Sequence, residues 1–236
     1  MRHDGGTEER VFMVTGTSGG LAESVCRRLS AAGLRLCLVD RHMATTQALM
    51  SELGAHGVEA DLTSGADAHK AVQDTLDHFG RLDGLIHLVG GFRMGPADAA
   101  TTDDYDFLFD VNMRTLFETT RAALPHLRAS PHGVLAGISA GPAFTGSGPQ
   151  MALYGAAKAA VTTFLRSVDA EQENTRLSVM ILYPMGAIDT PANRLAMPDV
   201  NPATWINPDE IAQTLVYGAL MGPGGRLSDL PIYPPR

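Results

Sequence analysis

The chain is poor in the residues that mark secreted, metal-binding and membrane-spanning proteins. It has only two cysteines, Cys26 and Cys37, and neither belongs to a Cys-x-x-Cys or Cys/His ligand pattern. Both lie in apolar segments, so we expect two buried, reduced thiols and no metal site. The first ten residues are polar, and no apolar run reaches the length of a membrane helix. The sequence therefore predicts a cytoplasmic protein with no membrane partner.

Positive charge is also scarce. The 18 lysines and arginines are outnumbered by 26 aspartates and glutamates, which leaves a net charge of −8 at pH 7. Because such a protein repels polyanions, the composition argues against a nucleic-acid partner. At 236 residues and 44% hydrophobic content, the chain is long enough to bury a large core. We expect a globular protein that acts on a small molecule.

Short apolar runs of strand length alternate along the chain with longer segments of helical periodicity. Strands joined by helices imply right-handed crossovers and a parallel sheet covered on both faces. The pattern predicts one doubly wound α/β domain of Rossmann type over residues 1–236, with residues 1–9 as a flexible tail. The predicted strands are 10–16, 34–40, 56–63, 82–91, 133–139, 177–184 and 225–233; the predicted helices are 20–33, 43–54, 65–79, 103–109, 111–128, 151–171 and 209–221, with a loop at 140–150.

The first predicted strand ends in the glycine-rich turn "VTGTSGGLA" at 14–22. Gly16 and Gly20 let the backbone approach a pyrophosphate closely, and the following helix directs free N–H groups at that anion. Asp40 ends the second strand, where a carboxylate binds ribose hydroxyls and repels a 2′-phosphate, which favours NAD. Arg41 could instead pair with that phosphate, so NADP stays open. Asp40 could also simply cap the next helix.

The segment "ALYGAAKAA" at 152–160 places Tyr154 and Lys158 four residues apart, on one face of a predicted helix. In one interpretation Tyr154 packs in the core while Lys158 extends to water. In the other, the ammonium lowers the pKa of the phenol from its usual value of about 10, so that the phenol can exchange protons near neutral pH.

Taken together, these motifs resemble the short-chain dehydrogenase/reductase family over nearly the whole chain. The cofactor turn of that family, TGxxxGxG, matches residues 15–22, and its YxxxK motif matches Tyr154 and Lys158. The family's catalytic Asn matches Asn112, in "DVNM", and its catalytic Ser matches Ser139, at the end of the fifth predicted strand. The four residues follow in the expected order within the βαβ pattern.

The resemblance implies an oxidoreductase that transfers a hydride between nicotinamide and a carbonyl/alcohol pair. Tyr154 is then the acid/base, and Lys158 lowers its pKa and holds the nicotinamide ribose. Ser139 donates a hydrogen bond to the substrate oxygen, and Asn112 holds a water that relays protons. The cofactor contacts implied are Gly16, Thr17, Ser18, Gly20, Leu21, Asp40, Arg41, Asp61, Leu62, Gly90, Tyr154, Lys158, Pro184 and Thr190.

Two segments depart from the family pattern and keep alternatives open. Residues 87–90 read "HLVG" where the family has NNAG. We expect His87 to be a core histidine. The changed motif raises the alternative that the protein is a catalytically silent, cofactor-binding regulator. Residues 185–208 resemble the matching segment of quinoid dihydropteridine reductases, which is a second alternative, and are expected to form a substrate lid.

The side chains that follow the predicted strand ends are largely apolar, which favours an apolar substrate pocket. The resemblance also implies a homodimer or homotetramer, with the helices near 103–128 and 151–171 at the interface. The candidate pocket residues are Phe92, Met94, Phe144, Met151, Met185, Met197 and Trp205.

Overall fold

A computed structural model describes residues 10–146, 148–173, 175–221 and 225–236. Seven strands form one sheet in the order β3-β2-β1-β4-β5-β6-β7, and every neighbouring pair is parallel. The predicted fold class is therefore confirmed. The strands are β1 Val11–Thr15, β2 Arg35–Asp40, β3 His56–Glu59, β4 Gly84–His87, β5 Val134–Ile138, β6 Ser178–Pro184 and β7 Asp229–Ile232.

Helices connect successive strands, as a parallel sheet requires. Between α4 and α5 the chain passes through one π-helical turn, Asp110–Arg114. The α-helices are α1 Ala22–Ala31, α2 Gln47–Leu53, α3 Gly65–Phe79, α4 Thr102–Phe109, α5 Thr115–Ala129, α6 Gly141–Thr145, α7 Ala152–Ala170, α8 Pro191–Ala196 and α9 Pro208–Ala219.

The core lies in two layers, one on each face of the sheet. Successive side chains of a strand point to opposite faces, so Met13 packs in one layer and Phe12 in the other. The Met13 layer contains side chains of α3, α5 and α7, and the Phe12 layer contains side chains of α1 and α9. Both cysteines are buried free thiols, as predicted.

Local signals explain where several helices begin and end. The Ser64 side chain accepts a hydrogen bond from the Asp67 backbone at the start of α3, and Gly80 ends that helix with a φ of +77°. Thr101 and Asp104 form a capping box at the start of α4. Asp104 also pairs with Arg93 at 2.8 Å.

Two predicted loops contain helices. Residues 140–150, expected to be a loop, include α6, whose first turn carries Pro142 in a position that suits proline. Residues 185–208 include α8, which begins at Pro191 and is capped by the Thr190 hydroxyl. The predicted last strand, 225–233, is shorter in the structure, at Asp229–Ile232.

The chain builds the sheet outward from β1 in both directions. Strands β2 and β3 lie on one side of β1, and strands β4 to β7 lie on the other. In sheets of this kind a crevice opens at that point, beyond the carboxyl ends of the strands. Among the described residues, no helix is long and apolar enough to cross a membrane. The predicted tail, residues 1–9, lies outside the described residues.

Candidate active site

Two cavities lie along the carboxyl edge of the sheet and share four lining residues: Gly16, Gly19, Leu88 and Gly90. The first measures about 400 Å³ and extends to the end of β2. The second measures about 740 Å³ and extends towards α7 and α8. Together they form an elongated site across the crevice. Predicted residues that line the first cavity are Gly16, Ser18, Asp40, Arg41, Asp61, Leu62 and Gly90; those that line the second are Gly16, Gly20, Leu21, Gly90, Ser139, Tyr154, Lys158, Pro184 and Thr190.

The glycine turn lies between the two cavities. Gly16 has a φ of +74°, and a Cβ there would lie 2.8 Å from the Val89 nitrogen of the adjacent β4 loop. At Gly20 a Cβ would lie 2.7 Å from Cβ of Thr190, the residue that caps α8. The glycines therefore keep open a space that side chains would fill.

The start of α1 fits an anionic group such as a pyrophosphate. Leu21 is its N-cap and provides no side-chain hydrogen bond to the first turn, so backbone N–H groups there are free to bind an anion. Thr17, a predicted cofactor contact, is buried and lines neither cavity within the described part of the chain. Its side chain is buried in the protein, so its contact with the cofactor stays a prediction.

The Asp40 carboxylate joins β2 to the glycine turn. It accepts hydrogen bonds from the backbone nitrogens of Ser18, at 2.8 Å, and His42, at 3.2 Å. It does not cap α2, whose N-cap is Thr46. Asp40 is buried, while its neighbour Arg41 is exposed at the same cavity.

Asp61 lines the first cavity together with Asp40. Its carboxylate accepts hydrogen bonds from the Thr63 nitrogen and hydroxyl, at 3.0 and 2.8 Å. These two bonds lower the pKa of Asp61, and the positive charge of Arg41 lowers it further. Asp61 is therefore a fixed anionic acceptor at neutral pH.

Tyr154 lines the second cavity, and its ring meets the ring of Phe92 edge to face, with 4.8 Å between centroids. Burial raises the pKa of Tyr154 to about 12. The sequence-based expectation was a lowered pKa. That expectation is wrong for this structure, because desolvation of the phenol is the effect that dominates.

Lys158 does not extend to water. Its Nζ donates a hydrogen bond to the Ile138 carbonyl at 2.9 Å, and the side chain is buried. Burial lowers the pKa of Lys158 to about 8. The interpretation of Lys158 as a surface lysine is therefore wrong, and the lysine is held at the end of β5.

Asn112 lies in the π-helical turn and is buried. Its Nδ2 donates to the Gly91 and Leu108 carbonyls, at 3.0 and 2.9 Å, and its Oδ1 accepts from the Gly91 nitrogen at 3.2 Å. A Cβ on Gly90 would lie 3.0 Å from this Oδ1 and 3.2 Å from Nζ of Lys158. Asn112 and Lys158 therefore converge on Gly90, although Asn112 does not itself line the cavities.

Ser139 lies at the end of β5, but its hydroxyl points towards α7. It donates to the Lys158 carbonyl at 3.1 Å and shares a 2.8 Å hydrogen bond with the Thr162 hydroxyl. Side chains alternate along a strand, so Ser139 shares the α7-facing side with Gly137, where a Cβ would lie 2.7 Å from Leu165. This geometry does not support the predicted donation to a substrate oxygen.

His87 is a satisfied core histidine, as predicted. Its two ring nitrogens lie 2.9 Å from the Thr15 hydroxyl and 3.2 Å from the Thr115 hydroxyl, so it braces β4 against β1 and α5. Burial lowers its pKa to about 3, and the charge of Lys158 adds to this shift. The histidine therefore stays neutral and supports β4, the strand that leads into the loop carrying Gly90.

A family model described as "short chain dehydrogenase" matches residues 10–201 of this chain. The match covers the glycine turn, Asn112 and the Tyr154/Lys158 pair. The chain belongs to the short-chain dehydrogenase family.

Relatives and solved structures that are similar to this chain are also oxidoreductases, dehydrogenases or reductases by name. An uncharacterized oxidoreductase of Staphylococcus epidermidis is 27% identical over 212 residues, which cover 89% of this chain and 90% of the relative. A short chain dehydrogenase from Burkholderia cenocepacia, solved with NADP, is 25% identical with a TM-score of 0.82 and 96% and 97% coverage. A 3-ketoacyl-(acyl-carrier-protein) reductase from Brucella melitensis, solved with NADH, shares the fold at 24% identity, with a TM-score of 0.84 and the same coverage. The protein is an NAD(P)-dependent short-chain dehydrogenase.

Five of the seven predicted pocket residues line the second cavity of this dehydrogenase: Phe92, Met94, Met151, Met185 and Met197. Phe144 and Trp205 do not line either described cavity; Phe144 packs on Tyr183, and Trp205 is buried. The sequence did not reveal the Ile138 carbonyl or the Gly91 backbone as partners of the site. Backbone atoms occur at every residue, so no residue type marks them.

Proposed function

We propose that this short-chain dehydrogenase reduces a carbonyl compound to an alcohol with Tyr154 as proton donor. The observation that carries the proposal is that Tyr154 and Lys158 line the same cavity as the glycine turn. A nicotinamide cofactor bound beside the glycine turn would supply the hydride for the carbonyl carbon, and the Tyr154 hydroxyl would give its proton to the carbonyl oxygen. In the reverse direction the phenolate takes the proton back from the alcohol.

The raised pKa of Tyr154, about 12, keeps this group in the protonated form that carbonyl reduction needs. A phenol with that pKa stays protonated at neutral pH and is ready to donate. Oxidation needs the phenolate, so its rate should rise with pH across the alkaline range. Lys158, held by the Ile138 carbonyl at 2.9 Å, would restore the proton and bind the nicotinamide ribose hydroxyls.

Asn112 acts on this site through the backbone. Its amide holds the Gly91 nitrogen and carbonyl, and this contact fixes the loop that carries Gly90 beside Lys158. A water held between Asn112 and Lys158 would give the lysine a proton path to solvent. Ser139 is better assigned as a positioning residue, because its hydroxyl joins β5 to α7.

NAD is the preferred cofactor in this proposal. The buried Asp40 carboxylate lies on the first cavity, where it would accept hydrogen bonds from the adenosine ribose and repel a 2′-phosphate. Because Asp40 also holds the Ser18 nitrogen at 2.8 Å, an alanine would loosen the glycine turn as well. Asparagine removes the charge and keeps one acceptor oxygen, which can still accept the shorter hydrogen bond, from the Ser18 nitrogen, while the weaker bond from His42 is lost.

The cofactor prediction is tested with Asp40→Asn. The variant should raise kcat/KM for NADPH relative to NADH by roughly tenfold or more, because the repulsion between the carboxylate and the phosphate is gone. The exposed Arg41 would then help to bind the phosphate, so adding Arg41→Ala should reverse most of the gain. An unchanged ratio in Asp40→Asn would show that Asp40 does not set the preference.

The reaction class is tested with cofactor that carries deuterium at the transferred position. The protein is incubated with a panel of aldehydes and ketones, and the alcohol products are examined by mass spectrometry. We expect one deuterium at the former carbonyl carbon. Alcohol without deuterium, or no alcohol from any carbonyl, would overturn the proposal.

The proposal also covers the oligomeric state of the protein and the cellular compartment in which it acts. Phe117 of α5 is exposed and meets Phe164 of α7 edge to face, with 6.1 Å between centroids, so these helices present aromatic surface. We assign a homodimer or homotetramer through this surface, in the cytoplasm, where the two buried thiols stay reduced. Light scattering coupled to size-exclusion chromatography tests the assembly, and a monomer at micromolar concentration would contradict it.

A further inference from the structure

The second cavity leaves a largely apolar space next to Tyr154. Methionines and a phenylalanine line the part beyond the glycine turn, and methionine side chains adapt to irregular apolar ligands. Phe92 and Met94 are 53% and 56% exposed, so apolar surface lies open at the mouth. The methionines that line the cavity are Met94, Met151, Met185 and Met197.

Charge is nearly absent from this cavity. Among its described lining residues, none is an aspartate, glutamate, arginine or histidine, and Lys158 is the one lysine. The Lys158 ammonium donates to the Ile138 carbonyl, and in the proposed function its remaining N–H groups bind the nicotinamide ribose, so it is committed to the cofactor. The other polar side chains that line the cavity are uncharged, such as Thr190 and Asn193. An anionic or cationic substrate group would therefore lose its hydration without gaining an ionic partner.

The arginines nearest the cavity in sequence are held away from it. Arg93, which lies between Phe92 and Met94 in the chain, pairs with Asp104 at 2.8 Å and packs over the Phe107 ring at 4.1 Å. The Asp104 partner is itself fixed, because its carboxylate accepts hydrogen bonds from the nitrogen and hydroxyl of Thr101.

Arg194, on α8, is held in the same way. It makes a two-point contact with Asp189, at 2.6 and 2.8 Å. Bidentate pairs of this kind leave the guanidinium little capacity for another anion. Both guanidinium groups are therefore neutralised by carboxylates that do not line the cavity.

We infer that the substrate is an uncharged, apolar carbonyl compound, and that the Phe92 ring, which lines the cavity beside Tyr154, favours a substrate with a ring. The inference rests on the proposed function, since it assumes that the carbonyl is reduced beside Tyr154. It excludes carbonyl acids, phosphorylated sugars and carrier-bound acyl groups whose charge would have to enter this cavity.

The test compares two aldehydes of similar size. 4-Methylbenzaldehyde is neutral, and 4-formylbenzoate carries a carboxylate at the same ring position. The methyl group donates electrons to the ring, so intrinsic reactivity does not favour the neutral compound. We expect kcat/KM with NADH to be roughly 100-fold higher for 4-methylbenzaldehyde, because the carboxylate finds no partner.

Variants at Met94 sharpen the test, since this side chain is half exposed at the mouth. Met94→Arg should raise kcat/KM for 4-formylbenzoate by roughly tenfold, because it adds the missing cation. Met94→Gln is the matched control: it is polar and neutral, and should give no such gain.

Three outcomes would overturn the inference. If wild-type protein uses 4-formylbenzoate as well as 4-methylbenzaldehyde, or if a wider panel shows that only charged carbonyls react, the substrate class is wrong and the proposed function stands. If neither neutral nor charged carbonyls react, both are wrong.

Discussion

Replacing Ser139 with alanine separates two roles for its hydroxyl. The sequence pattern predicts a donor to the substrate oxygen, and the structure places the same hydroxyl against Thr162 and the Lys158 carbonyl, with the residue 2% exposed. The two roles predict different effects of the substitution, one on the turnover rate and the other on the free energy of unfolding. A donor to the substrate affects the rate, whereas a contact between β5 and α7 affects stability.

The structure allows both magnitudes to be estimated. Ser139→Ala removes two buried hydrogen bonds and leaves the Thr162 hydroxyl without this partner, which should lower the free energy of unfolding by about 1–3 kcal/mol. Loss of a donor to a developing oxyanion typically slows turnover by about 10²- to 10³-fold. We expect the first effect, with turnover slowed by less than about fivefold.

Urea unfolding and steady-state kinetics on the same preparations test this prediction. Thr162→Val is the control, because it removes the other half of the same contact and should lower stability by a similar amount. Each single variant removes the same hydrogen bond between Ser139 and Thr162. The loss of unfolding free energy in the double variant should therefore be no larger than the sum of the losses in the two single variants. If Ser139→Ala instead slows turnover by roughly 100-fold or more and leaves stability unchanged, the reasoning is refuted.

Two further predictions concern His87 and the glycine turn. The pKa of His87 is about 3 in the folded protein and about 6.5 in the unfolded chain, so below pH 6.5 the unfolded chain binds a proton that the folded protein does not. The free energy of unfolding therefore falls as the pH drops towards 3, by about 1.4 kcal/mol per pH unit. His87→Gln should remove that slope in urea unfolding between pH 6 and 4, and an unchanged slope would assign the acid sensitivity to another group. Gly20→Ala should weaken NADH binding by roughly tenfold in fluorescence titration, because its Cβ would lie 2.7 Å from Cβ of Thr190. Gly155→Ala is the control, with only an ordinary 3.6 Å contact to Pro142, and should bind NADH normally; equal affinities for all three proteins would contradict the account of the turn.

The fold could be predicted from the sequence because the central strands are buried apolar runs bounded by turn residues. The burial of β1, where all five residues are inaccessible, is what a parallel sheet covered on both faces produces. Residues 185–208 were harder to predict. Their conformation depends on contacts between residues distant in sequence, such as the bridge between Ile188 and Ile206 and the approach of Thr190 to Gly20.

The candidate site could be predicted in its location but not in its electrostatics. Motif spacing brings Tyr154, Lys158 and the glycine turn together, yet spacing does not say how deeply the pair is buried. That burial reverses the expected direction of the Tyr154 pKa and lowers the pKa of Lys158 to about 8. The direction of the Ser139 side chain could have been found from strand alternation, since Gly137 faces the same helix.

The central claim is that Tyr154 transfers the proton, and Tyr154→Phe tests it most directly. The variant keeps the ring and its contact with Phe92 and removes only the hydroxyl. The account predicts that kcat for carbonyl reduction falls by about 10²- to 10⁴-fold, while the dissociation constant for NADH, measured by fluorescence titration, stays within about threefold of wild type. A variant that binds NADH normally and keeps more than about a tenth of the wild-type kcat would contradict it.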